Sequence, residues 1–442
     1  MTVISPTVMF LKGVNQVVPS LIWPQVSDVT NGSQFVVAIG TNESLPCMNT
    51  TVLGFIGDFP FKGTDLLVHT YAVPAGGILI ASCLNTAYGF YMAFVNSNFS
   101  IQIPLAFSLY PINQPCNATV NSPGDGVDND CDGLIDEDIC TETTISNFKD
   151  CAAIISGDRD TYGKNFTFLV PEHHETPIRV ENSTISLQIT SPSQADVTIS
   201  ITTPLNLTKL SMTLTLPASE DFLQIFIQDL SVRAVGSALF TDRTVHVTSD
   251  HEISLTLMGN GSSFAMSLLI QPDDVLGHEY YVVTPCNLTG CLFQVTAVHA
   301  GETEVRIRLR TDTDAPVLFD GTNYKNGSVI CRTLQQFHAL QINTTFDLSG
   351  THVLSSKPVS VWGGGFFTTF LRKSYKDSAA EHIPPLETWG REFLVLQNPT
   401  FITKGLTACY LPPCYDYIKT DGRALTTLTS HWSAAPTPPD IR

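Results

Sequence analysis

Basic residues are scarce in this chain: 23 Lys and Arg stand against 41 Asp and Glu in 442 residues, a formal net charge of −18. Such a surface repels nucleic-acid phosphate, and no basic cluster offsets it, so nucleic-acid binding is excluded as a function class. Long apolar runs are missing as well. No stretch reaches the roughly 18 apolar residues that a spanning helix needs, so no membrane insertion is expected. Nor does any segment combine apolar residues at helical spacing with capping signals; any helix should be short. The HExxH spacing of helical zinc sites, the GxSxG elbow and a phosphate-cradling glycine loop are all absent. The nearest substitutes, His173-His174-Glu175 and Glu381-His382, lie in Pro-flanked, loop-like sequence and read as exposed loop side chains. No residue is assigned as catalytic, and the chain reads as a non-enzyme.

What is present is Val, Ile, Thr, Phe, Gly and Pro, with charged residues at only 14%, a composition that favours strands and turns. Val245–Leu257 (VHVTSDHEISLTL) recurs about a hundred residues on as Thr351–Gly363 (THVLSSKPVSVWG). Each copy alternates on both sides of a short polar segment, which predicts a hairpin. A second block, Gly-x-x-aromatic followed by apolar residues, begins at Gly32, Gly163, Gly277 and Gly390. The fold class expected is all-β, a tandem array of antiparallel β-sandwich domains, jelly-roll or Ig-like, with an acidic calcium-binding loop inserted. The divisions are a strand-like lead-in (1–31), domains at 32–115, 163–276 and 277–389, a Cys-bounded acidic linker (116–162) and a partial domain or tail (390–442).

Two counts place the chain in an oxidising, secretory route, hence extracellular. Twelve Asn-x-Ser/Thr sequons occur, at Asn31, Asn42, Asn49, Asn98, Asn117, Asn165, Asn182, Asn206, Asn260, Asn287, Asn326 and Asn343, about two to three times the chance expectation, so N-linked glycans are expected. Eleven cysteines make disulfides the default state. Cys286 with Cys291 and Cys409 with Cys414 are local candidates, while Cys47, Cys83, Cys116, Cys131, Cys140 and Cys151 are further ones of open connectivity. The odd thiol falls to Cys331, either buried and free or paired between chains. Met1–Gln16 makes a poor signal peptide, lacking a basic start and interrupted by Pro6. The numbering is therefore expected to start after processing, or downstream of the true N-terminus.

Between Cys116 and Cys151 stands PGDGVDNDCDGLIDEDIC, with seven acidic residues in the fourteen positions from Asp125 to Asp138. Calcium takes six to eight oxygen ligands, and carboxylates at alternate positions of a tight loop converge on one ion where a Gly allows the sharp turn. Asp128, Asp130 and Asp132 alternate in this way ahead of Gly133. The segment resembles the calcium loops of EF-hands and thrombospondin type 3 repeats, and most closely the DNDCDG-type motif. That resemblance implies side-chain ligands from Asp128, Asp130 and Asp132, the Leu134 carbonyl and a direct or water-mediated contact from Asp136. Ile139 stands where an EF-hand has its bidentate Glu, so Glu137 or Asp138 must substitute; Asp125 completes the acidic set. The competing reading is a solvated acidic linker. If calcium binds, it would fix the angle between the domains on either side by ordering a linker whose charges repel.

Further on, the chain has SSKPVSVWGGG at Ser355–Gly365 and IPPLETWGREFLVL at Ile383–Leu396. From about Gly163 to Leu396 it resembles the N-terminal region of the IgG Fc-binding protein family. The resemblance implies a secreted glycoprotein of mucus or matrix built from β domains. It does not establish immunoglobulin binding, because fold does not fix function. The function read from the sequence is structural or adhesive, with self or other extracellular glycoproteins as partners. Alternatives are a calcium-dependent carbohydrate- or protein-binding module, lectin-like or Fc-binding-like, and then a secreted glycoside hydrolase with carboxylates from distant strands. The lead-in's apolar strands and the unfinished fourth block would suit head-to-tail strand exchange into a homopolymeric filament; a fragment of a longer array explains them as well. Calorimetric titration of metal-free protein should show calcium uptake that Asp130→Ala with Asp132→Ala abolishes. An unchanged isotherm in the double variant rules the acidic loop out as the site.

Overall fold

Alternation becomes antiparallel sheet throughout the computed structural model, with three 3-10 turns and no α-helix among the described residues. Described are the strands between residues 20 and 106 with Leu109, residues 160–171, 184–284 and 290–389 apart from 194, 221, 229, 261–264, 285–289, 312 and 369–376, and two strands at 392–395 and 416–419. The fold class is all-β and antiparallel, consistent with β-sandwich architecture. No described helix is long and apolar enough to cross a membrane.

At the N-terminal end lie β1 (Ser20–Ile22), β2 (Gln34–Thr41), β3 (Gly54–Pro60), β4 (Leu66–Ala72), β5 (Ile80–Ser82), β6 (Tyr88–Phe94) and β7 (Ser100–Ala106). They form a five-stranded sheet in the order β3-β4-β2-β6-β7 and a separate β1–β5 pair. The lead-in's β1 thus finds its partner within its own chain, Leu21 opposite Ala81.

The first sandwich is built from β8 (Gly163–Leu169), β9 (Thr184–Thr190), β10 (Val197–Thr202), β11 (Ser211–Leu216), β12 (Phe222–Phe226), β14 (Thr244–Asn260) and β15 (Ala265–Ile270). The repeated segment does not turn back as a hairpin. In both copies it is one 17-residue strand, β14 here and β23 (His352–Thr368) in the next repeat. The N-terminal half of β14 lies between β10 and β8, and its C-terminal half between β9 and β15, so one strand belongs to two layers. The register shifts between Thr248 and Ile253, and this bulge replaces the expected turn. The polar residues there close the bulge: Ser249 Oγ donates to His251 O (2.7 Å), and Asp250 Oδ1 accepts from Thr198 N–H (2.9 Å). Ser356 does the same in the second copy, accepting from Glu304 N–H (2.9 Å).

The second sandwich repeats the scheme with β16 (Gly277–Tyr281), β17 (Cys291–Ala297), β18 (Thr303–Arg308), β21 (Val329–Leu334), β22 (Ala339–Thr344), β23 and β24 (Asp377–His382). A hairpin of β19 (Val317–Phe319) and β20 (Thr322–Tyr324) is added, its Asp320-Gly321 turn at φ 51° and 70°. Positive φ at both central residues suits the right-handed twist of paired strands, which is why Asp-Gly occurs there. Beyond Trp389, β25 (Glu392–Val395) pairs with β26 (Asp416–Lys419).

Each sandwich closes on its own aliphatic core. Phe166, Phe168, Leu187, Ile199, Val247 and Leu255 are buried in the first, and Tyr280, Phe293, Val305, Ile307, Leu340 and Val361 in the second. Each such side chain contributes roughly 1.5–3 kcal/mol by leaving water. The two sandwiches are not independent. Leu292, Trp362 and Ala380 of the second join the first core, and β13 (Ala238–Phe240), reached from the first, pairs with β22 of the second. A buried polar chain crosses the same boundary: Trp362 Nε1–H donates to Gln294 Oε1, Gln294 Nε2 to Gln341 Oε1 (2.6 Å), and Gln341 Nε2 to Gly236 O (2.7 Å).

The glycine that opens each sandwich is fixed by the turn that leaves it. A Cβ on Gly163 would lie 2.3 Å from Pro272 Cβ, and one on Gly277 2.4 Å from Pro385 Cβ. These prolines precede the 3-10 turns Asp273–Val275 and Leu386–Thr388. A proline ring cannot retreat as a flexible chain end would, so Gly277→Ala forces backbone movement. We expect a loss of about 1–3 kcal/mol, read by chemical denaturation, against a negligible change for Lys164→Ala on an exposed position of β8. Equal stability of the two variants would contradict the contact.

Candidate functional site

Strand β18 reads Thr303-Glu304-Val305-Arg306-Ile307-Arg308 and alternates buried with exposed at every position. Val305 and Ile307 enter the core, so Glu304, Arg306 and Arg308 must point outward. Pairing with β21 and β23 sets their neighbours. Arg308 lies between Val329 and His352, and Arg306 between Cys331 and Leu354. Beyond β23, the edge strand β16 adds Tyr281 opposite His352 and Glu279 opposite Leu354.

Two cross-strand rows result, Tyr281-His352-Arg308-Val329 and Glu279-Leu354-Arg306-Cys331. Val329 is 50% exposed and Leu354 39%. Arg306 and Arg308 make no ion pair or side-chain hydrogen bond among the described residues. Their neighbour Arg332 is committed, paired to Asp320 (3.1 Å) and lying over the Phe319 ring. At one end of the face the rings are ordered. Tyr281 and His352 stack with centroids 4.7 Å apart, His352 Nε2 meets Glu279 Oε1 at 2.7 Å, and Trp389 lies 6.3 Å from Tyr281. Trp389 is itself pinned, its Nε1–H donating to Pro384 O (2.9 Å).

The first sandwich supplies a built-in comparison. By the same pairings its rows read Thr167-His246-Thr202-Ser211 and Asn165-Thr248-Ser200-Thr213. Where the second sandwich carries two arginines, two exposed aliphatics and a tyrosine, the first carries hydroxyls and a sequon asparagine. Tyr and Arg are enriched in protein-binding surfaces and at their hot spots, whereas Ser and Thr are under-represented there.

The acidic set Asp125, Asp128, Asp130, Asp132, Leu134, Asp136, Glu137 and Asp138 lies outside the described residues, and among the described residues no group of three or more His, Cys, Asp or Glu side chains is gathered for a metal. Of the sequons, Asn165 and Asn326 are exposed, Asn206 and Asn343 are half-buried and Asn260 ends β14. Asn31, Asn42, Asn49, Asn98, Asn117, Asn182 and Asn287 lie outside the described residues, as do all cysteines but two. Cys291 is buried and disulfide-bonded, while Cys331 is free and exposed on the arginine face, not buried.

His382 corrects the reading of Glu381-His382 as exposed loop side chains. The pair ends β24 at 4% and 2% exposure. The imidazole tolerates burial because both ring nitrogens are bonded: Nδ1 accepts from Gln271 N–H (2.9 Å) and Nε2 meets Ser360 Oγ (3.2 Å). Its role is to fasten the strand β24 to the end of β15. His173-His174-Glu175 lies outside the described residues.

Comparison with known proteins singles out the part of the chain that carries this face. A family model described as IgGFc binding protein matches residues 266–411, which include β16–β24 and the whole arginine face. The "IgGFc-binding protein" of Homo sapiens is 29% identical over 161 residues, 36% of this chain and 3% of that protein. The resemblance carried by SSKPVSVWGGG and IPPLETWGREFLVL therefore stands for this stretch, and the chain spans only a small part of the relative's length.

Proposed function

We propose that this chain is an extracellular protein-binding module whose contact surface is the outer face of β16, β23, β18 and β21. One observation carries the reading: at matched positions of the two sandwiches, Ser200, Thr202, Thr248, Ser211 and Thr167 of the first correspond to Arg306, Arg308, Leu354, Val329 and Tyr281 of the second. The chain carries an excess of negative charge. Two uncommitted guanidiniums within it favour a partner that brings carboxylates to the same place, with apolar contact between them. The name of the matched relative makes an immunoglobulin Fc region the first partner to test. Glycans on the sequons and calcium in the acidic loop would support such a module from outside the contact, the one by keeping other faces solvated and the other by stiffening the joint ahead of the first sandwich. The reading assigns no chemistry to the chain.

Surface-immobilised Fc and, in parallel, a panel of extracellular glycoproteins should reveal a partner for the intact chain. Arg306→Ala with Arg308→Ala should weaken that binding at least tenfold, since truncation of central arginines in an interface typically removes about 2 kcal/mol or more. The matched pair Ser200→Ala with Thr202→Ala on the first sandwich should leave it unchanged. Binding that survives the arginine double variant would place the contact elsewhere.

A further inference from the structure

The turn that joins the two sandwiches holds a carboxylic acid where ionisation is unfavourable. Asp273 opens the 3-10 turn Asp273–Val275 between β15 and β16. Its Oδ2 accepts a hydrogen bond from Thr167 Oγ1 of β8 (2.6 Å), and Thr167 Oγ1 also meets His246 Nδ1 of β14 (2.9 Å). The residue as a whole is half-buried, but Oδ1 is shut off from solvent and makes no hydrogen bond within the described residues. The titratable groups around it are Asp274, next in the turn, and His246 behind Thr167. No Lys or Arg side chain pairs with it among the described residues. A carboxylate so placed has one oxygen shut off from water and no paired cation among the described residues, and its charge is disfavoured.

The second repeat shows what the site is without the acid. Counting from the prolines that touch Gly163 and Gly277, Leu386 follows Pro385 as Asp273 follows Pro272. Likewise Tyr281 stands for Thr167, and His352 for His246. An apolar residue thus serves the same turn, so the acid is not a requirement of the fold. Nor is the place remote from the neighbouring repeat. The ring of Phe337, in a turn of the second sandwich and held at φ 66°, packs 5.1 Å from His246. Gln271, two residues before Asp273, is bonded from its backbone N–H and its side chain to His382 of the second sandwich (2.9 and 3.0 Å).

We propose that Asp273 is a proton-dependent latch on this joint, closed when the carboxyl is protonated and loosened when it ionises. In the protonated state the chain can run from Asp273 Oδ2–H to Thr167 Oγ1 and from Thr167 to His246 Nδ1, and the orphaned Oδ1 is then a neutral carbonyl oxygen. On ionisation the Thr167 bond reverses direction and Oδ1 becomes part of an anion while still having no donor of its own among the described residues. Burial pushes the carboxyl from 3.8 up to about 7, against the hydrogen bonds from Thr167 and with an added push from Asp274. The folded joint therefore binds more protons than the opened one between those values. Its stability is full below about 4, declines as pH rises through 7, and stays low above. Burial shifts His246 the other way, below its ordinary 6.5, which makes stability rise with pH; the two groups are separable by sign.

The test is hydrogen exchange across 163–170 and 271–277 in the whole chain at pH 5.5 and 8, corrected for intrinsic rates. Protection in the native protein should fall on the order of tenfold over that range. Asp273→Asn, which mimics the protonated acid, should abolish the fall, and Asp273→Leu, copied from Leu386, should do the same. A pH-independent native protein, or a fall that persists in either variant, overturns the latch. So does failure of both variants to fold, since the carboxyl would then be structural. None of these readouts depends on the partner face.

Discussion

The arrangement depends on a steric contact between the first residue of a sandwich and the turn that leaves it. Pro272 fits against Gly163, and Pro385 against Gly277, at distances that no Cβ could share. The contact ties the entry strand β8 or β16 to the exit, so each repeat is closed before the next begins. It also fixes where the following repeat starts, five residues beyond the proline. The long strands then distribute the load. Because β14 and β23 each cross from one layer to the other, a distortion at the bulge is felt in both layers, and the two polar closures at Asp250 and Ser356 hold the same geometry with different chemistry.

Much of this was legible because the periodicity of a sheet is short. The Gly-x-x-aromatic starts at Gly163 and Gly277 do open strands β8 and β16, and the alternation of STISLQIT and TEVRIR gives β9 and β18. The hairpin reading failed for a physical reason. Polar residues between two alternating runs signal a turn only when backbone with positive φ is available, and TSDHE and SSKP offer neither Gly nor Asn. Asp320-Gly321 does have the right chemistry, and it is a hairpin turn. Strand β3 escaped because Gly54, Gly57 and Pro60 break up its pattern. Short β13 carries too few residues for any period, and its pairing with a strand a hundred residues away is set by tertiary packing alone.

The candidate face was half visible. Outward Arg306 and Arg308 follow from alternation within TEVRIR, and that signal was available. What the sequence withholds is the lateral neighbourhood, because Leu354 and Val329 arrive beside the arginines through strand pairing at separations of tens of residues. The family match, in turn, points to residues 266–411 without distinguishing core from surface. Structure separates them: Trp362 of the repeated KPVSVWG motif is buried against the first sandwich, so that motif records packing.

That separation bears on how the module can carry function at all. Along β18 every second side chain belongs to the core, and the strand's stability resides in Val305 and Ile307 with their partners Ile330 and Val353. Arg306 and Arg308, uncommitted and solvated, add little to it, since exposed charges without a fixed partner contribute almost nothing to folding. An exposed Leu354 and Val329 contribute less than the same residues would inside, and they leave apolar area facing water. The first sandwich shows that the fold at these positions is served by Thr248 and Ser211. Residues that stability does not require, grouped across strands distant in sequence, are the ones that the proposed contact outside the chain would use.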